Sequence, residues 1–513
     1  MLASPARAAP SRRMHVSDPS ALAESLPHPS SRRRPIILAA VMMAMFMAAV
    51  ESTIVATAMP TIVAALGGFR HFSWVFAVFP LTQAIATPIY GRLADLHGRK
   101  PMFCVGSLIF LLGSTLCGFA WGMGALIAFR ALQGVGAGAI IPVATTIIAD
   151  LYSPADRARM QGWLASVWGF SAVIGPLLGA FIVQHVSWSV VFWLNLPIGA
   201  IAIGMIAGFL HERLVPRQHS IDYAGAALLA VGSGALMLVL TQAHELGATA
   251  LWLLIAVAAA GLGAAIRQER IAPEPMLRLD LWRHRIIAVG NAGAVSIGAV
   301  MMGITAFLPT YVQGAMGRSP VVAGFALTAM SIGWSGVSPL AGRIMIRGSY
   351  RMAAMLGGAA FVVGSIVLSL MQPDSGPLWA GAGAFFIGIG MGFCNTTFLV
   401  SIQSSVGWRE RGTATSSMLF MRMVGQSIGV AVFGGVFNYV LFGSGAETGE
   451  TINRLMDPVL RQSVEPAVAA RLGGEIAAAL HSVYLIGLAL AAVTVVLSAL
   501  LPAGHGAASK AAD

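Results

Sequence analysis

Long apolar segments alternate with short polar connections along the whole 513-residue chain. A helix needs about 20 mainly apolar residues to cross a membrane, and fourteen segments approach or exceed that length. We predict spans 1 to 14 at residues 36–58, 72–93, 101–120, 122–150, 158–184, 188–210, 221–243, 249–267, 286–313, 320–342, 352–371, 376–402, 412–441 and 477–501. The pattern therefore predicts an all-α, polytopic membrane protein whose even number of spans places both termini on the same side.

Two short motifs occur twice, once in each half of the chain. The sequence Pro-Ile-Tyr-Gly-Arg-Leu at 88–93 is similar to Pro-Leu-Ala-Gly-Arg-Ile at 339–344, and Gly-Val-Gly-Ala-Gly at 134–138 is similar to Gly-Ile-Gly-Met-Gly at 388–392. The offsets, 251 and 254 residues, nearly agree. We therefore predict two duplicated six-helix bundles with spans 7 and 8 inserted between them. Facing repeats of this kind enclose a substrate site near the membrane midplane in alternating-access transporters.

The repeat and the polar ends of the chain define the predicted domains. No connection is long enough to hold a separate soluble domain. The basic N-terminal segment is rich in Ser, Pro and Ala and is predicted to be disordered. The apolar run after it is span-length, so we expect an uncleaved first helix. In chain order, the predicted units are a basic cytoplasmic tail (1–34), the first bundle (35–211), two inserted helices (212–268), the second bundle (269–503) with an outer loop (442–476), and a cytoplasmic tail (504–513).

The distribution of the net charge of +11 predicts which side of the membrane the termini occupy. In a soluble protein such an excess would favour nucleic-acid binding, but here only 10% of residues are charged and 57% are hydrophobic. Of the 31 Lys and Arg, 24 fall in one alternating set of connections and five in the other. The positive-inside rule therefore predicts cytoplasmic termini. The preference for Arg over Lys, with abundant Ala and Gly, favours a bacterial inner membrane.

Chemistry other than transport finds little support in the sequence. Cys104, Cys117 and Cys394 lie in apolar runs and are interpreted as small packing residues. The eleven histidines have no metal-ligand spacing, and neither a Ser/His/Asp arrangement nor a Walker-type loop occurs. We therefore predict a transporter that is not an enzyme, needs no cofactor or metal, and takes its energy from an ion gradient.

Glu51 lies deep within a predicted span, whereas the other nineteen acids lie in tails, loops or the last turns of helices. A charged side chain at the centre of a membrane helix costs about 2.5 to 3.5 kcal/mol, so such residues usually mark a functional pathway. Burial favours the protonated form of a carboxyl group, which suits a proton carrier. Alternatively, Glu51 forms a structural ion pair with Arg130 of span 4. The two interpretations are compatible if the pair breaks during transport.

The connection between spans 2 and 3 combines three Arg or Lys residues, one His, one acid and two glycines in ten residues. Its acid could meet a helix N-terminus, whose dipole favours negative charge. Its cations could pair with that acid or hold anionic lipid headgroups. An ordinary positive-inside loop would need neither the acid nor the paired glycines. We therefore predict a gating loop made by Gly91, Arg92, Asp95, Gly98, Arg99 and Lys100.

Glycines and polar side chains within the spans mark further candidate sites. Gly175, Pro176 and Gly179 in span 5 predict a bend or a sliding surface for a neighbouring helix. The glycines after Arg130 could suggest a dinucleotide loop, but no strand precedes them, and they favour close helix packing instead. Arg422 is a second buried cation, which could alternatively bond backbone carbonyls. The candidate substrate cavity comprises Thr53, Gln83, Gln133, Asn291, Asn395, Gln403 and Arg422.

These motifs resemble those of the major facilitator superfamily, and the fourteen spans resemble its drug:proton antiporter branch. Residues 91–100 are similar to the family's loop between helices 2 and 3, and 130–138 to its helix 4 motif linked to proton transfer. Residues 175–179 resemble its helix 5 motif associated with antiporters, and 193–199 a segment frequent in this branch. Residues 53–60 resemble its helix 1 motif. Just before them, the family usually has Asp where this chain has Glu51.

The resemblance implies export of hydrophobic, often cationic, compounds in exchange for protons by alternating access. It implies proton coupling by Glu51 and Arg130, and docking of Asp95 against the start of span 13 near Gly412 and Thr413 in the outward-facing state. Ile346 stands where the repeat would place a second acid, so the gate is expected to be asymmetric. The expected partners are the substrate, protons and membrane lipid, with the chain a monomer and a periplasmic adaptor left open.

Two other functions remain as alternatives at this point. The chain could export one dedicated metabolite, such as an amino acid, a siderophore or an antibiotic made by its host. It could also be a membrane receptor or channel without turnover.

Overall fold

The computed structural model describes residues 33–152, 154–212, 222–243, 246–407, 410–443, 449–456 and 460–503. Within these residues fourteen helices are long and apolar enough to cross a membrane, which confirms the predicted number. They are α1 (Arg34–Leu66), α2 (Phe72–His97), α3 (Arg99–Gly118), α4 (Met123–Leu151), α5 (Pro154–His185), α6 (Ser189–Phe209), α7 (Tyr223–Gln242), α8 (Ala248–Ile271), α9 (Arg285–Thr310), α10 (Pro320–Arg347), α11 (Tyr350–Ser369), α12 (Pro377–Ser404), α13 (Arg411–Gly443) and α14 (Pro466–Ala499). The described residues contain no β-strand.

Several helix boundaries differ from the predicted ones. The last helix begins at Pro466 rather than at 477, since proline is readily accommodated in the first helical turn. The outer loop before it contains a short helix, Gly449–Met456. A π-helical turn, Tyr311–Ala315, extends α9. The tails predicted at 1–34 and 504–513 lie almost entirely outside the described residues.

The predicted internal repeat is visible in how the glycines pack. A Cβ atom built on Gly134 of α4 would lie 2.5 Å from the Phe79 carbonyl oxygen of α2. At the corresponding position in α12, a Cβ atom on Gly388 would lie 1.9 Å from the Met330 carbonyl oxygen of α10. Only glycine lets the helix backbones approach this closely. The pairs α2/α4 and α10/α12 are therefore equivalent, as two duplicated bundles require.

Aromatic side chains join the two bundles on one side of the membrane. We call the side where α1 begins and α2 ends the basic face, and the other side the opposite face. Near the opposite face, the Phe72 ring at the start of α2 lies 5.0 Å from Phe307 of α9 and 6.0 Å from Phe437 of α13. Phe69 lies 5.7 Å from Phe437. Each such ring pair adds about 0.5 to 1.5 kcal/mol to the burial of its apolar area. The bundles are therefore closed at the opposite face.

Helices α5 and α10 also connect the bundles, but only over part of their length. Ser331 of α10 donates a hydrogen bond to the Ala172 carbonyl of α5 over 2.6 Å. The described contacts between them join residues 169–180 of α5 to residues 324–335 of α10, so they lie in the middle of the two helices and toward the opposite face.

The inserted helices α7 and α8 pack against each other beside the seam between α2 and α13. In that seam, Ser427 of α13 donates to the Ala77 carbonyl of α2 over 2.8 Å. A Cβ atom on Gly435 of α13 would lie 1.9 Å from the Leu240 carbonyl oxygen of α7. The insertion thus covers one side of the seam between the bundles.

Candidate ion-coupling and transport site

Glu51 of α1 and Arg130 of α4 form an ion pair inside the first bundle. Nη1 of Arg130 donates to Oε1 of Glu51, and the two residues are 1% and 0% exposed. Nη1 also donates to Oε1 of Gln133 over 2.8 Å, and Nε donates to the Val75 carbonyl over 3.4 Å. The guanidinium carbon lies 4.3 Å from the centre of the Phe79 ring. The buried cation is therefore neutralised by a carboxylate and held by three further groups.

The second carboxylate oxygen of Glu51 is held from α6. Nδ2 of Asn195 lies 2.6 Å from Oε2 of Glu51 and 2.9 Å from the Ser114 hydroxyl of α3, and donates to both. Gln133 donates to the same hydroxyl over 3.1 Å. We call Glu51, Ser114, Arg130, Gln133 and Asn195 the charge network. Since α1, α3, α4 and α6 all contribute, the network lies within the first bundle, and Glu51 does not face lipid.

The motif at 175–179 places α5 directly against α1. A Cβ atom on Gly175 would lie 2.1 Å from the Thr53 hydroxyl, and one on Gly179 would lie 2.5 Å from the Ile54 carbonyl oxygen. Because α5 also contacts α10 of the second bundle, it connects the α1 segment that follows Glu51 to the interface between the bundles. Movement of one bundle against the other would therefore act on this segment.

Within the predicted gating loop, Arg99 and Lys100 hold the first bundle together. The carboxylate of Glu212, just after α6, accepts the Arg99 backbone N–H over 2.8 Å, the Lys100 backbone N–H over 3.1 Å and the Arg99 Nη1 over 3.1 Å. Nε of Arg99 lies 3.2 Å from the Asp150 carboxylate at the end of α4. Gly98 has φ 97°, a conformation that favours glycine. Glu212 thereby caps the positive end of α3.

Arg92 makes a contact outside the first bundle. Its guanidinium pairs with the Glu274 carboxylate in the connection between α8 and α9, and Nη2 donates to the Pro275 carbonyl over 3.4 Å. This ion pair links the loop to the chain segment that enters the second bundle.

Asp95 lies 3.9 Å from Arg99, one helical turn away. At the start of α13, a Cβ atom on Gly412 would have no neighbour within 4 Å. In this conformation Asp95 therefore does not dock on α13. Docking near Gly412 and Thr413 stays a prediction for a state in which the basic face is closed.

Several of the residues predicted to line one substrate cavity have described contacts in different parts of the two bundles, and their joint role stays a prediction. Gln133 belongs to the charge network, Thr53 packs against α5, and Gln83 is buried in α2. Asn291 and Gln403 each donate to a hydroxyl of α13 over 3.1 Å. A polar side chain in lipid gains by finding a partner on a neighbouring helix, which accounts for these contacts.

Arg422 and Asn395, in contrast, do meet. Nη1 of Arg422 on α13 donates to Oδ1 of Asn395 on α12 over 3.2 Å. One turn further along α13, Gln426 lies 3.8 Å from the Met301 sulfur of α9. All four side chains are partly exposed. We call these residues the Arg422 cluster.

The sequence analysis missed four partners of the residues that it identified. Ser114 and Asn195 complete the charge network, and Glu212 and Glu274 receive the arginines of the loop. Asn195 lies within residues 193–199 and interrupts an otherwise apolar helix, which is a local signal of a buried polar contact. Ser114, Glu212 and Glu274 carry no such signal, because their roles depend on contacts far along the chain.

Comparisons with known proteins agree with this architecture. The profile of the Major Facilitator Superfamily matches residues 41–430. Multidrug resistance protein 3 of Bacillus subtilis (strain 168) is 38% identical over 403 residues, 78% of this chain and 79% of the relative. The multidrug transporter protein MdtP of the same organism is 34% identical over 409 residues, 79% of this chain and 76% of the relative. The Acurin A biosynthesis cluster MFS-type transporter of Aspergillus aculeatus is 31% identical over 415 residues, 79% of this chain and 75% of the relative.

Solved structures show the same fold at low sequence identity. A bacterial homologue of the human lysosomal transporter Spinster, in an inward-facing and unoccupied conformation, has a TM-score of 0.63 at 16% identity and covers 92% of this chain and 98% of its own. The nucleoside transporter NupG (D323A mutant) has a TM-score of 0.64 at 11% identity and covers 91% of this chain and 100% of its own. With its fourteen membrane helices and duplicated bundles, the chain therefore belongs to the major facilitator superfamily and is a membrane transporter, not an enzyme.

Proposed function

We propose that this chain exports hydrophobic, drug-like compounds across the cytoplasmic membrane in exchange for protons, by alternating access. The observation that carries the proposal is the pair of Glu51 and Arg130, buried away from lipid and water inside the first bundle. A carboxyl group that can exchange an arginine partner for a proton can couple a charge change to a movement of its helices. The multidrug names of two Bacillus relatives support the substrate class.

The closure at the opposite face supports the alternating-access part of the proposal. We assign the basic face to the cytoplasm by the positive-inside rule, so the described conformation corresponds to an inward-open state. In the other state the aromatic contact of Phe72 with Phe437 would open and the basic face would close. We place the hinge connection at α5, whose glycines contact α1 on one side while Ser331 of α10 bonds its other side.

The experiment uses the full chain reconstituted into proteoliposomes with an imposed pH gradient. Accumulation of several chemically unrelated fluorescent compounds is measured with and without nigericin, which collapses the gradient. We expect more than one compound to accumulate and accumulation to stop on collapse. Transport that is unaffected by nigericin would contradict proton coupling.

A second candidate is a dedicated exporter of one metabolite. The name of the Aspergillus relative, which places it in a biosynthesis cluster, favours this possibility. The same assay separates the two functions. Accumulation of a single compound out of a chemically diverse set would support the dedicated exporter and exclude the multidrug exporter.

A further inference from the structure

We infer that the Arg422 cluster binds an anionic group of the transported compound, so that the preferred substrates are amphipathic acids and not cations. The inference rests on the proposed export function and narrows its substrate class. Its starting point is an imbalance of charge. Two arginines lie inside the membrane spans, Arg130 and Arg422, and only Arg130 has a carboxylate partner among the residues that the structure describes.

The guanidinium of Arg422 is poorly satisfied. It has five N–H donors, and the hydrogen bond described for it goes from Nη1 to the neutral oxygen of Asn395, over 3.2 Å. Its Nε is buried and has no partner among the described residues. A cation within the membrane is costly unless an opposite charge compensates it. The unused donors therefore offer a binding site for a carboxylate or sulfonate, which Arg can hold by two parallel hydrogen bonds.

The side chain lies deep in the membrane. Arg422 stands eleven residues after the start of α13 at Arg411, which is about 16 Å along a helix, so lipid headgroups lie far away. The helix around it is covered by neighbours: a Cβ atom on Gly298 of α9 would lie 2.2 Å from the Arg422 carbonyl oxygen, and Ser427 bonds α2. The guanidinium itself meets Asn395 of α12, so the side chain lies among helices of the protein and not against lipid.

The rest of the cluster suits an amphipathic molecule. Met301 of α9 is partly buried beside the main apolar core, and methionine adapts to ligands of varied shape. Asn395 and Gln426 offer uncharged polar contacts next to the arginine. The carboxylate of Glu51 is already paired with Arg130, so it does not attract a cationic substrate to this site.

A pair of probes that share one scaffold tests the inference by binding alone. The anion 1-anilinonaphthalene-8-sulfonate and its uncharged analogue N-phenyl-1-naphthylamine are titrated into the full chain in phosphatidylcholine nanodiscs, with empty discs as background. For Arg422→Gln we expect the Kd of the sulfonate to rise about tenfold, since a charge-assisted bond is lost. The Kd of the uncharged analogue should change less than twofold, which also shows that the variant is folded.

Two further variants define the chemistry. Arg422→Lys keeps the charge but loses the planar fork, so it should give an intermediate Kd for the sulfonate. Arg343→Gln removes the same charge at the basic end of α10 and should leave both affinities unchanged. If Arg422→Gln binds the sulfonate as tightly as the wild type, or if it weakens both probes equally, the inference is wrong.

The binding result is separable from the proposed function. A selective loss of sulfonate binding without any pH-driven transport would leave the anion site intact and overturn the exporter. Normal pH-driven transport, together with sulfonate binding that does not depend on Arg422, would support the exporter and overturn the anion site. Preferential binding of the cation ethidium over the sulfonate by the wild-type protein would also overturn the anion site.

Discussion

The two arginines inside the membrane show how differently equivalent bundles can be used. Arg130 in the first bundle is 1% exposed and pairs with Glu51, Gln133 and the Val75 carbonyl. Arg422 in the second bundle is partly exposed and bonds one amide. The bundles share their glycine packing, so the difference does not come from their folds. The first bundle keeps a compensated charge, which suits an internal proton switch, whereas the second leaves a charge free for a ligand.

The largest expected effect is the loss of the switch in the first bundle. Glu51→Gln should lower pH-driven accumulation by about 100-fold or more, because an amide cannot release a proton. Substrate exchange without a gradient should continue, and this readout also controls for misfolding caused by the unpaired Arg130. Glu51→Asp keeps the carboxyl group and should retain part of the activity. Accumulation by Glu51→Gln at the wild-type level would remove the functional contrast between the bundles.

The next largest effect is expected from the residues of the charge network that surround the ion pair. Asn195→Ala removes the donor to Oε2 of Glu51, which lies 2.6 Å away. We expect gradient-driven transport to fall about tenfold, because a hydrogen bond to a buried charge is worth roughly 1.5 to 3 kcal/mol. Ser114→Ala, which removes only a neutral neighbour, should cost less. Equal effects from both variants would mean that the network acts by packing and not by contact with the carboxylate.

We expect the corresponding glycines of the two bundles to be equally sensitive to substitution. Gly134→Ala and Gly388→Ala would each place a methyl group against a backbone carbonyl oxygen, at 2.5 Å and 1.9 Å. Overpacking of this kind costs about 1 to 3 kcal/mol, so both should lower the midpoint of thermal unfolding by similar amounts. Gly336→Ala on α10, with no neighbour within 4 Å, is the matched control and should change little. A large effect at only one of the two repeat positions would contradict the equivalence of the bundles.

The smallest expected effect concerns the arginines that the repeat places at the basic face. Arg92 pairs with Glu274, while Arg343 forms no ion pair with any residue in the described ranges. Because both side chains of the Arg92 pair are partly exposed, Arg92→Gln should lower the transport rate only about twofold to threefold, and Arg343→Gln should lower it less. Restoration of the rate in a charge-swapped Arg92→Glu, Glu274→Arg variant would identify the ion pair as the cause. Failure of the swap would assign the effect to Arg92 alone.

The architecture was predictable from the sequence because lipid imposes strong rules. Span length, the repeat offset and the basic connections are local properties, and they correctly predicted fourteen helices. The acid of span 1 and the arginine of span 4 were predictable as a pair, since buried charges in lipid have few alternatives. The free-energy cost of burying a charge in lipid therefore made the ion pair of the first bundle predictable from the sequence.

The contacts of the polar residues were not predictable in the same way. Amides and hydroxyls are tolerated at many depths, and Asn291 and Gln403 found partners on α13 that no spacing indicates. The helix start at Pro466 was missed because the first turns of α14 contain charged residues. The loop arginines had several candidate acids, and only the folded chain shows that Arg92 reaches Glu274.

The central claim, that Glu51 of the first bundle carries the exchanged proton, is tested most directly by counting protons. The purified protein is mixed with a transported compound in weakly buffered solution, and the pH change is recorded. The account predicts that the wild type releases protons on binding and that Glu51→Gln binds the same compound without releasing them. Proton release by Glu51→Gln equal to that of the wild type would contradict the account and place the exchanged proton on another group.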